Sequence, residues 1–292
     1  MRLDDSRESK NVEDRRGMGG GGFGGGRVAI GGGAGIVVVL IALLLGVDPS
    51  VLIQGGGPGP GAPPAGRMAP GPAPSSPQAQ AERQFVARVL GELEDVWRPV
   101  FQQSNRPYRD PVLVLFSGGV QTGCGPASSQ VGPFYCPADQ RLYIDPDYLA
   151  RLQRQIGAPG DFAAAYVIAH EVGHHVQQQL GILQRVDSAR RGMSTAEANQ
   201  MQVRIELQAD CFAGFWARRA EEGRRILERG DLEEAIAAAH GVGDDTLQRQ
   251  AQGHVVPERF THGTSAQRVR WFRRGFESGD VRACDTFAAD RL

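Results

Sequence analysis

Lysine is almost missing from this chain. Lys10 is the only one in 292 residues, and arginine fills the other 31 of the 32 basic positions. Against 33 acidic residues the net charge is −1. That leaves no global basic excess, and nothing recommends a nucleic-acid partner. The lysine deficit itself reads as compositional bias. The four cysteines, Cys124, Cys136, Cys211 and Cys284, include no C-x-x-C pair, which argues against a zinc ribbon. Charge is absent altogether from residues 28–47. Core-building residues are sparse at the N-terminus, where 19 of the 40 glycines fall in the first 66 residues.

These absences divide the chain. An uncharged run of twenty residues suffices to cross a bilayer, and its glycines suit a membrane helix better than a soluble one. The expectation is a disordered Gly-rich tail over 1–27 and a transmembrane helix over 28–47. A Gly/Pro/Ala-rich linker over 48–81 follows, then a folded domain over 82–292. A long polar leader and no small-x-small site after the run favour an uncleaved anchor. Arg15, Arg16 and Arg27 precede the run, and no basic residue occurs from Asp48 to Gly66. The positive-inside rule then predicts a cytoplasmic N-terminus and an extracytoplasmic domain at the cell membrane. An even cysteine count fits disulfides in an oxidising compartment. Of three pairings, Cys124–Cys136 with Cys211–Cys284 is preferred, and four reduced buried thiols are the competing reading.

What the chain does have is His170-Glu171-Val172-Gly173-His174 within an apolar, helical-looking stretch. Histidines four apart share one helix face and can reach one metal ion. The carboxylate between them sits where it can take a proton from an attacking water. Gln177 and Leu180 stand where a metzincin needs glycine and histidine, so that class is excluded. The third ligand is sought downstream, where Glu206 and Asp210 lie four apart on a helix expected from about residue 195 to 222. Ser194 to Glu197 opens that helix with a capping-box pattern. Glu206 would hold the metal, and Asp210 would orient a ligand histidine.

H-E-x-x-H followed by E-x-x-x-D resembles the gluzincin arrangement. The whole chain resembles the bacterial neutral zinc metallopeptidase family, through residues 7–17, 132–139, 170–175, 206–214 and 260–268. That resemblance implies a membrane-anchored zinc peptidase. It implies one Zn²⁺ per chain, a peptide or protein substrate, and a zincin fold in which an edge strand lies above the cleft.

The remaining pattern predicts helices over 81–103, 231–240 and 264–278, and strands over 111–116 and 141–145. A small sheet followed by a helical half gives an α+β class. The expected ligands are His170, His174 and Glu206, with Glu171 as the general base. His262 is the first candidate to stabilise the developing oxyanion, with Tyr143, Tyr135 and Arg268 as rivals. His175 points about 100° away from its neighbour and reads as a packing residue. His240 and His254 read as surface or structural. The alternative function is a zinc-stabilised envelope binding protein without turnover.

Overall fold

The computed structural model describes residues 1–17 and 75–292. The expected membrane span over 28–47 lies outside the described residues, as does most of the expected linker. Among the described residues no helix is long and apolar enough to cross a membrane.

The architecture is α+β and mostly helical. Strands β1 (Val12–Asp14), β2 (Val112–Leu115), β6 (Arg141–Ile144) and β5 (Phe134–Cys136) form one sheet in the order β1-β2-β6-β5. The first three run parallel and β5 is antiparallel to β6. β3 (Gly119–Thr122) and β4 (Gly125–Ser128) make a separate hairpin. The two strands expected from sequence are the inner ones. Both edges, β1 and β5, are three-residue strands too short to show a period.

The sheet is covered on both faces, which explains the continuous apolar run of β2. Leu113, Leu115, Leu142 and Ile144 join the main core, while Val114, Phe116 and Tyr143 meet Val120 and Cys136 in a second cluster.

Eight α-helices make up most of the rest of the described chain. They are α1 (Pro77–Gln103), α2 (Pro146–Gln155), α3 (Asp161–Gln179), α4 (Ile182–Arg190), α5 (Thr195–Arg224), α6 (Asp231–Gly241), α7 (Asp244–Gln252) and α8 (Ser265–Ser278). α1 starts four residues before the expected helix because Ser76 caps it, its side chain accepting from Ala79 N at 3.2 Å. α3 and α8 both pack on α5, the long central helix. The capping box of α5 forms as expected, with Ser194 N donating to Glu197 Oε2 at 2.8 Å. Cys124 bonds to Cys136 and Cys211 to Cys284, the preferred pairing.

The tail expected over 1–27 needs correction for its first 17 residues, which are part of the folded domain. β1 pairs with β2 in register, Val12 opposite Leu113, and Leu3 and Val12 enter the main core. Low hydropathy concealed this, because polar contacts hold the segment. Glu94 on α1 is fully buried. It accepts from Arg7 Nη2 at 2.6 Å, Ser9 Oγ at 2.5 Å and Asn11 Nδ2 at 2.8 Å. The domain is therefore residues 82–292 together with the N-terminal strand and the first turn of α1.

Candidate metal centre

α3 is buried on nearly all sides, and its alanines and Gly173 let α5 come close. A Cβ on Gly173 would lie 3.0 Å from Ala209 Cα. This approach brings the motif helix against Glu206 and Asp210.

Three donor atoms converge there. One nitrogen each of His170 and His174 and one oxygen of Glu206 lie within 4.8 Å of one another. His170 Nε2 is 3.2 Å and His174 Nε2 3.5 Å from Glu206 Oε2. A tetrahedral zinc with bonds near 2.05 Å has ligand–ligand edges of roughly 3.3 Å, so the spacing suits the ion. Two imidazoles and a carboxylate are also a zinc donor set with one position left open.

Both rings are fixed from behind. His170 Nδ1 donates to Asp210 Oδ1 at 2.8 Å, and His174 Nδ1 donates to Gln177 Oε1 at 2.9 Å. Each leaves Nε2 with its lone pair toward the shared point. Asp210 is held in turn by Tyr166 Oη at 2.6 Å and by the Arg268 guanidinium, Nε at 2.8 Å and Nη2 at 2.9 Å. Burial works to raise the Asp210 carboxyl, but Arg268 and His170 outweigh it and bring it down to about 2. With no metal bound, burial opposes the charged form of His170, yet Asp210 and Glu206 lift it to about 9. A metal ion held by His170 would displace its Nε2 proton.

The other expected residues separate. Glu171 is buried and makes no side-chain hydrogen bond among the described residues. His262 lies in the field of Glu206. Burial lowers its affinity for a proton, but Glu206 and Asp244 raise it more. Its loop is pinned by fully buried Asp244, whose Oδ2 accepts from the backbone N–H groups of Thr261, His262 and Gly263 at 2.7, 2.7 and 3.0 Å.

The rivals are committed elsewhere. Arg268 is bound to Asp210 behind the centre, and Tyr143 donates to Asp139 at 2.6 Å on the sheet's far face. Tyr135 meets His175, whose Nε2 contacts the Arg109 carbonyl at 2.8 Å, so His175 is a packing residue. His254 is exposed, its Nδ1 3.0 Å from the Gln252 carbonyl.

Sequence reasoning missed the roles of Gln177, Tyr166 and Asp244. Gln177 was legible in principle. It lies three residues after His174 on the same helix face, and a fully buried amide needs partners.

A family model described as "Putative neutral zinc metallopeptidase" matches residues 1–287. The "Uncharacterized protein YpfJ" of Escherichia coli is 50% identical over 212 residues, covering 73% of this chain and 74% of that protein. The "Uncharacterized protein Rv2575" of Mycobacterium tuberculosis is 44% identical over 227 residues, covering 73% and 74%. No solved structure matches the chain.

Proposed function

The chain belongs to the neutral zinc metallopeptidase family, and from that premise we propose that it hydrolyses peptide bonds at the centre formed by His170, His174 and Glu206. The observation that carries this reading is the approach of two imidazole nitrogens to one carboxylate oxygen at tetrahedral-edge spacing. The family's cofactor is Zn²⁺, and these residues would hold one ion per chain. When bound, zinc supplies a Lewis acid for a carbonyl oxygen and lowers the pKa of water in its open position.

The chain's own groups do the rest. Glu171, without a side-chain hydrogen bond among the described residues, takes the proton of the attacking water and passes it to the leaving amine. His262, held by the loop that Asp244 anchors, donates to the oxygen that gains charge. Asp210 and Gln177 keep the ligand rings in one tautomer.

The α+β layout supports a small gluzincin-type domain. β5 is hydrogen-bonded to β6 alone among the described strands and packs near α3, so a substrate peptide would add along its outer edge. The two disulfides support placement in an oxidising compartment outside the cytoplasm.

Metal analysis of the purified full chain tests the reading together with cleavage of casein and quenched peptides. The expected result is one zinc per chain, with zinc and cleavage lost together on chelation and restored by adding zinc. A chain that purifies without zinc and does not take it up refutes the ligand assignment.

The Asp210–Arg268 pair gives a second expectation. Arg268→Gln leaves Asp210 buried without its main charge partner, and the hold on His170 weakens. Zinc affinity should fall roughly 10- to 100-fold, as read by competition with a chromogenic chelator. Unchanged affinity would mean that Tyr166 and the helix backbone orient Asp210 without help.

A further inference from the structure

Residues 1–17 and 75–292 share one sheet and one core, and this bears on the uncharged run between them. β1 covers the open edge of β2, with Leu113 N donating to Asn11 O at 2.9 Å and Arg15 N to Leu115 O at 2.8 Å. Ser9 N donates to Ala87 O at 2.9 Å. Arg16 is buried and closes the segment. Its Nη1 meets Glu82 Oε2 at 2.7 Å and its Nη2 donates to Ala79 O at 2.8 Å. The chain therefore leaves the domain and re-enters it at the same place, beside the first turns of α1.

This docking is not dispensable. Without Arg7, Ser9 and Asn11, Glu94 would be a buried carboxylate left with Arg98 Nη2 at 3.2 Å. Breaking a buried ion pair on one side is strongly destabilising.

A chain that crosses a bilayer once puts its two flanks on opposite sides, and flanks that share a core cannot be so placed. Returning would take a second apolar span. Residues 54–74 are instead rich in glycine and proline with no such run, and unpaired backbone in hydrocarbon costs several kcal/mol per group. We infer that residues 1–17 and the catalytic domain stay on the same side of the membrane. If the domain is extracytoplasmic, so is Lys10, and the positive-inside expectation for the N-terminus fails. Arg15 and Arg16 then belong to the fold, paired with Glu13 and Asp14, instead of setting orientation. The inference does not rest on the peptidase reading, and neither result below touches the chemistry.

The chain carries its own reporter. Lys10 is its only lysine, is exposed, and sits in the docked segment. The experiment uses the full chain with a C-terminal epitope, in right-side-out and inverted membrane vesicles. A membrane-impermeant amine-reactive biotin reagent reports Lys10, scaled to labelling in detergent and corrected with Lys10→Arg. Added protease reports the epitope. Labelling and epitope loss in the same vesicle orientation, or both in every preparation, supports the inference. Lys10 labelled only where the epitope is protected overturns it and restores the single-pass topology.

Discussion

Glu171→Gln is expected to lower kcat/KM on a cleaved peptide about 1,000-fold while zinc stays bound at one per chain. The amide keeps the shape of the carboxylate but cannot take a proton, and general base catalysis contributes roughly 10²–10⁴. Zinc should remain because the three converging donors are His170, His174 and Glu206, and Glu171 is not among them. Glu206→Ala provides the contrast. It removes the oxygen that both histidines face at 3.2 and 3.5 Å, so metal and activity should vanish together. Metal content and steady-state kinetics on the three proteins separate the roles. A Glu171→Gln protein that cleaves as fast as wild type would take the chemistry away from this helix. An inactive wild type with full zinc would favour a binding protein that uses the ion for stability.

The centre was readable in sequence because its parts are local. His170 and His174, and Glu206 and Asp210, are each four apart, so helix geometry alone puts each pair on one face. Ser194 and Glu197 announce the start of α5 in the same local way. What stayed hidden depends on contacts between distant stretches. Arg268 lies 58 residues from Asp210, and its place behind His170 follows only from α8 packing on α5. Segment 1–17 was misread for a related reason. Composition measures how much apolar surface a segment can bury, and this one is held by an edge-strand ladder and by Arg7, Ser9 and Asn11 on Glu94. The motif resemblance over residues 7–17 was the available signal that these polar residues had partners in the domain.

The packing of α8 on α5 yields the other large expected effect, and its sign can be tested against a control glycine of α5 that lies away from the contact. The two helices meet glycine to glycine. A Cβ on Gly275 would run into the carbonyl oxygen of Cys211 and stand 2.7 Å from Phe215 N. A Cβ on Gly214 would likewise strike the carbonyl of Phe272. These obstacles are backbone atoms and cannot rotate away, so Gly275→Ala must push the helices apart. Overpacking of this kind costs about 1–3 kcal/mol, against the fraction of a kcal/mol that alanine gains over glycine in a helix. At about 2–4 °C per kcal/mol for a domain of this size, the melting temperature should fall by several degrees. The damage should also reach the metal, because α5 carries Glu206 and Asp210 while α8 carries Arg268. Separating them loosens the guanidinium from the carboxylate that orients His170. Gly223→Ala lies in α5 with no atom near its added Cβ, and it should stabilise by about 0.4–1 kcal/mol through the unfolded chain. Thermal unfolding with and without zinc reads both. Opposite signs, with the zinc-dependent stabilisation reduced only in Gly275→Ala, would tie metal affinity to the helix contact. If both variants melt higher than wild type, the helices have room that the close approach denies, and the coupling between packing and the metal centre is wrong.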